Sequence, residues 1–289
     1  MAEKKELDAI SGVETTGHEW DGIKELNNPL PRWWLYVLYA TIVWAIGYWI
    51  VMPAWPTLTG YTKGVLGHSQ RDLVAEQIEA AQDAQADLRA AIVAKDPAEI
   101  VKDETLLEYA LAGGKAAFGD NCAPCHGSGA AGSPGYPNLN DDSWLWGGTL
   151  DDIYTTVRHG IRADDEETRS GDMPAFVADG MLESQQANDA VEFVLSLSGR
   201  SEDAEAAKRG GEVFADNCAA CHGEDGTGDQ SFGAPNLADD LWLYGGDRET
   251  IATTVAKGRH GVMPSWEGRL DPVTIKQLVV YVHSLGGGQ

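Results

Sequence analysis

A mainly α-helical protein is predicted: one transmembrane helix, then a helical spacer, then two tandem copies of one small domain. Three observations predict it. Residues 33–55 carry no charged side chain, residues 114–127 match residues 210–223, and each matching half closes on an apolar, helix-patterned segment, residues 191–197 and 279–285. At 289 residues the chain is about two domains long, and its 43% hydrophobic and 23% charged content is that of a folded protein. A formal charge of −24 argues against a nucleic-acid partner, which needs a basic face.

Residues 1–32 are polar. The 23 uncharged residues that follow can cross roughly 30 Å of hydrocarbon at about 1.5 Å per residue. Six of the ten tryptophans lie in the first 55 residues. Arg32, Trp33 and Trp34 mark one membrane interface, Trp49 and Trp55 the other, and Pro53 and Pro56 end the helix. A start after 32 polar residues and the lack of a small-residue cleavage site argue against a signal peptide. Lys4, Lys5, Lys24 and Arg32 precede the span, whereas only Lys63 and Arg71 follow within 20 residues, so the N-terminus is expected in the cytoplasm. Residues 56–103 read as a helical spacer. Leu73, Ile78, Leu88, Ile92 and Val93 keep a loose helical period there, and Asp96 with Pro97 restarts a helix. A solvated spacer is expected, with a docking helix for a partner as the other reading.

The two copies are placed at residues 104–199 and 205–289. Cys122, Cys125 and His126 recur as Cys218, Cys221 and His222 at an offset of 96. Pro137-Asn138-Leu139 recurs as Pro235-Asn236-Leu237 at 98, and Met173-Pro174 as Met263-Pro264 at 90, which leaves copy one with eight extra residues around 163–169. That insert is acidic and reads as a surface loop. Between the copies only residues 199–204 intervene, so the two domains are expected to lie side by side. Phe118 and Phe214 are expected on a first helix that crosses a last helix carrying Phe193 or Tyr281.

Cys-x-x-Cys-His is the attachment signature of c-type haem: two thiols bond the vinyl groups and the histidine stands under the iron. Two copies imply two covalently bound haem c groups, on Cys122 and Cys125 and on Cys218 and Cys221. A single four-cysteine zinc site is disfavoured, because 92 residues separate the two cysteine pairs. A redox dithiol would need a βαβ context. With His126 and His222 as one axial ligand each, the repeat selects Met173 for copy one and Met263 for copy two as the other. His159 and His260 could serve instead but occupy unrelated repeat positions, and are expected at the surface or a haem edge. Trp144, Trp146, Trp242 and Tyr244 could donate to haem propionates or pack in the core; Arg158, Arg162 and Arg259 are weaker propionate candidates.

Each copy resembles a class I cytochrome c domain over about residues 104–289. Residues 15–34, TTGHEWDGIKELNNPLPRWW, followed by one span and two haem domains, extend the likeness to nearly the whole chain, which resembles the dihaem subunit III of cbb3-type cytochrome c oxidases. Some members of that family carry a further N-terminal span; this chain shows one. The resemblance implies a single-pass protein of the bacterial inner membrane with periplasmic haem domains. It implies a subunit that takes electrons from a donor cytochrome c and relays them, through a monohaem cytochrome c subunit, to the haem-copper subunit that reduces oxygen. No catalytic residue is expected in this chain. A cytochrome subunit of a periplasmic dehydrogenase is the alternative, and a haem gas sensor a third reading. Residues 57–289 hold 38 acidic and 17 basic side chains, which would steer a basic donor or simply keep the protein soluble.

Overall fold

A computed structural model describes residues 6–287. They form two compact units, one ending at Asp83 and one beginning at Ala84.

In the first unit, β1 (Thr15–Trp20) and β2 (Ile23–Leu26) make an antiparallel hairpin in which Trp20 faces Ile23. Asp21 and Gly22 turn the chain with φ of 49° and 84°. Two successive positive φ values define the hairpin turn that Asp-Gly favours. The helix α1 (Arg32–Val51) has no buried residue and a mean hydropathy of 1.6, the properties of a lipid-facing span. It stops four residues short of Trp55. Pro53 cannot donate, and the carbonyls of Ile50 and Val51 are instead met by the N–H groups of Val65 and Leu66. The helix α2 (Gln70–Ala84) also has no buried residue.

The second unit is helical. It contains α3 (Ala86–Ala94), α4 (Pro97–Ile100), α5 (Glu104–Asn121), α6 (Ala123–His126), α7 (Leu150–His159), α8 (Ser184–Leu197), α9 (Ala204–Asn217), α10 (Ala219–His222), α11 (Arg248–Lys257) and α12 (Pro272–His283). Here the spacer expectation over 56–103 needs correction. Ile92 of α3 and Ile100 of α4 are wholly buried in a core with Leu106 of α5 and Val280 of α12. The Lys276 ammonium, itself buried, donates to the carbonyls of Ile92, Val93 and Lys95 and so satisfies the last turn of α3. This segment is therefore part of the haem-motif unit.

The two sequence copies do not pack as two units. Phe118 of α5 shares its core with Ile153 and Val157 of α7 and with Ile275, Leu278 and Val279 of α12, the closing helix of copy two. Phe214 of α9 shares its core with Ile251 and Val255 of α11 and with Val191, Val194 and Leu195 of α8, the closing helix of copy one. Each first helix meets its last helix at a glycine. A Cβ on Gly114 would strike the Gln277 carbonyl, and one on Gly210 the Asp189 carbonyl. Beside these crossings stand ring pairs, Phe118 with Tyr281 at 5.5 Å and Phe193 with Phe214 at 4.8 Å. The physical reason is the short linker. Gly199 ends α8 with φ 71°, Arg200 N–H closes on the Leu195 carbonyl, and Asp203 caps α9, so α8 and α9 form a helical hairpin whose apolar faces meet. One haem-motif core is thus continuous in sequence, from the Met173 loop through α11. It is nested inside the other, which is assembled from α5–α7 and the Met263 loop with α12.

Candidate functional site

In each copy the first cysteine ends a long helix and the next four residues make one helical turn. Cys125 and His126 N–H both donate to the Cys122 carbonyl, and Cys221 and His222 N–H to that of Cys218. Gly127 and Gly223, with φ of 80° and 77°, end the turns. Both cysteines and the histidine therefore face one side.

The histidines are oriented from behind. Nδ1 of His126 lies 3.1 Å from the Pro137 carbonyl oxygen, and Nδ1 of His222 3.1 Å from that of Pro235. A carbonyl can only accept, so Nδ1 carries the proton and Nε2 presents a lone pair. Burial holds both imidazoles below their ordinary pKa, hence neutral, with the proline carbonyl opposing this in part. Burial pushes the Cys122 and Cys218 thiols up to about 11, with the neighbouring cysteine adding to the shift. A redox dithiol or zinc thiolate needs the opposite.

One cavity of about 650 Å³ is lined by all four cysteines, His126, His222, Met173 and Met263. The methionines are exchanged relative to the sequence expectation. Met263 packs against the Phe118 core, as Cys122 and Ala123 do, whereas Met173 packs against the Phe214 core, as Cys218 and Ala219 do. Backbone pairing fixes this arrangement. Met263 exchanges hydrogen bonds of 3.0 and 2.9 Å with Ile161, just after α7, and Arg259 N–H donates to Met173 at 3.0 Å, just after α11. So Met263 joins the core of the first motif, with His126, and Met173 that of the second, with His222.

The other candidates sort as follows. Trp144, Trp146, Trp242 and Tyr244 all line the cavity. The Trp144 indole N–H donates to the Gly287 carbonyl, while that of Trp242 is buried with no partner among the described residues. His159 and His260 line none of the cavity. His159 is buried with Asp165 at 3.0 Å and Glu167 at 3.2 Å, so the acidic insert covers a histidine and is more than a surface loop. Arg158 is taken by Glu267 in a two-pronged pair. Arg259 lines the cavity, its Nε donating to Thr254 and its guanidinium 4.2 Å above the Tyr244 ring.

Sequence reasoning missed Arg169, which repeats that arrangement with Thr156 and Trp146. Arg169 precedes Arg259 by the same 90 residues as the methionines. The insert therefore lies just ahead of Arg169, and placing its boundary there would have revealed the match.

Two thiols, a neutral imidazole and a thioether around an apolar cavity, into which the Trp242 indole also faces with no acceptor for its N–H, suit a c-type haem with its carboxylates. The same donor set occurs twice.

Comparison with known proteins gives the same reading. Residues 12–59 match the family described as the N-terminal domain of cytochrome oxidase-cbb3, FixP. Residues 111–198 match the cytochrome c family, and residues 205–282 the cbb3-type cytochrome c oxidase subunit III family. The chain is 53% identical over 290 residues to the cbb3-type cytochrome c oxidase subunit FixP of Bradyrhizobium sp. (strain ORS 278), covering 100% of both chains. It is 56% identical over 276 residues to subunit CcoP of Cereibacter sphaeroides, covering 95% of both, and 52% identical over 293 residues to subunit CcoP of Azospirillum brasilense, covering 99% of both. These relatives do not favour the dehydrogenase alternative.

Proposed function

The chain belongs to the FixP/CcoP family of cbb3-type cytochrome c oxidase subunits, electron-transfer chains with covalently bound haem c, and from that premise we propose how its own residues carry the electrons. Cys122 and Cys125 hold one haem and Cys218 and Cys221 the other. His126 and Met263 would hold the iron of the first haem, and His222 and Met173 that of the second. Haem supplies a one-electron couple. The protein keeps each imidazole neutral and aimed through its proline carbonyl, brings a thioether to the other side, and keeps water from the iron with the Phe118 and Phe214 cores. A thioether ligand raises the potential, which suits relay rather than oxygen chemistry. The observation that carries this reading is the single cavity in which both motifs and both methionines meet.

As a membrane-anchored subunit it works beside the other oxidase subunits. The direction proposed is from a donor cytochrome c, through these two haems and a monohaem subunit, to the haem-copper subunit. The lysine and arginine balance around α1 supports a cytoplasmic N-terminus and haem domains on the periplasmic side. The hairpin β1–β2, with Trp20 and Ile23 exposed, would then dock against the large subunit on the cytoplasmic face. Deleting residues 15–28 should leave both haems attached but release the subunit in detergent; full co-purification would sink the docking role.

Crossed ligation is tested in the purified oxidase with a Cys221→Ala background. Its second haem keeps one thioether and absorbs at longer wavelength than the first, so the two are told apart. Adding Met173→Ala should open the displaced haem to carbon monoxide, and adding Met263→Ala the other. The reverse pattern would restore ligation within each sequence copy and defeat the proposal.

A further inference from the structure

Arg162 stands where the two methionine loops meet. Its Nε donates to the Gly261 carbonyl at 2.6 Å, and its Nη1 donates to the Gly171 carbonyl. Gly261 lies two residues before Met263 and Gly171 two before Met173. One side chain therefore holds both loops. Nearby, Asp172 Oδ1 is 3.6 Å from Nε, and the guanidinium lines the common cavity. The backbone is committed as well. Arg162 has φ of 52°, a left-handed conformation that non-glycine residues seldom adopt, and its N–H donates to the Arg169 carbonyl at 2.7 Å. The preceding residue, Ile161, carries the backbone pairing to Met263. Nothing in copy two corresponds to it, because Arg162 lies in the extra residues of copy one.

We infer that Arg162 is a positioning residue shared by the two iron sites, one guanidinium whose two prongs set the Met173 loop for the His222 haem and the Met263 loop for the His126 haem. The inference rests on the crossed ligation proposed above. Arginine suits the task because its planar fork can donate in two fixed directions at once, whereas a lysine offers a point charge on a flexible stem. A fixed cation lining the cavity that would hold both haems would also favour the state with one more electron on each iron, so both potentials should depend on this residue together. Displacing either loop removes one prong's acceptor and loosens the side chain that holds the other.

The test uses the full-length subunit in the purified oxidase, with Cys221→Ala as the optical tag. Arg162→Gln and Arg162→Lys are compared with the parent by the long-wavelength sulfur-to-iron band of the ferric haems and by potentiometric titration. Arg162→Gln should weaken the band and lower the potential at both haems. Arg162→Lys should recover part of the potential but not the band, because it restores charge without the fork. Parent-level bands in the lysine variant would show the fork to be dispensable and overturn the proposal. A change confined to one haem in Arg162→Gln would overturn the shared role. Failure of crossed ligation shows separately, as carbon monoxide binding to the undisplaced haem in Met173→Ala.

Discussion

The continuous and the divided haem-motif cores use the same parts in different ways. In the continuous core, α8 and α9 are joined by six residues and sealed by polar groups around the joint. Asp189 pairs with Arg209, and buried Glu192 meets Arg248 and accepts from Ser201 and from the N–H groups of Glu202 and Asp203. In the divided core, α5 finds its partner in α12 from the far end of the chain, and α3 with Lys276 supplies the extra seal. Order in sequence decides neither pairing. The shortest linker that lets two apolar helix faces meet takes the first partner, and the remaining helices pair by default.

The comparison breaks most severely at the glycine crossings. Gly210→Val should cost about 3 kcal/mol or more by driving a side chain into the Asp189 backbone, with loss of haem at Cys218 and Cys221 first. Gly114→Val should reverse the order of loss, which haem content by mass spectrometry of the peptides would show. Lys276→Met comes next. It strands three carbonyls and should cost about 2–3 kcal/mol in thermal unfolding, felt by the divided core alone.

A pH series sharpens the contrast further. The Arg209 guanidinium beside Asp189 holds that carboxyl below its usual range, against the opposing pull of desolvation and with help from Gln185. A depressed folded pKa gives stability that is present above about pH 4 and lost as pH falls through the folded value. Asp189→Asn should therefore weaken the continuous core at neutral pH and match the parent in strong acid. The smallest effect is expected from lengthening residues 199–204. Doubling that loop with glycine and serine costs only about 0.6 kcal/mol. Read from sequence, the linker spaces two domains, and lengthening it would slow electron exchange. In the structure it lies inside one core, so the inter-haem rate should hold; a slower rate would restore the linker as a spacer.

Much of the site is legible in residues. Cys-x-x-Cys-His names its cofactor, the uncharged run names the span, and the recurring methionines name the thioethers. Which methionine serves which haem is not legible from repetition, because α8 and α12 offer equivalent faces to both α5 and α9. The hairpin at 15–26 was signalled by Asp21 and Gly22 between Trp20 and Ile23, but the polar strands around them lack an apolar alternation. The burial of Ile92 and Ile100 could not be separated from a solvated helix, since the residues that cover them come from α5 and α12.

Nesting also sets a schedule. A chain made from its N-terminus completes the pocket of the second motif once Arg259 has emerged, because α8, α9, α11 and the Met173 loop with its backbone partner are then all present. The first motif, although synthesised earlier, waits for Met263 and for α12 to end at His283. Its contacts span the whole second motif and form slowly for that reason. The earliest cysteines made, Cys122 and Cys125, are thus the last enclosed.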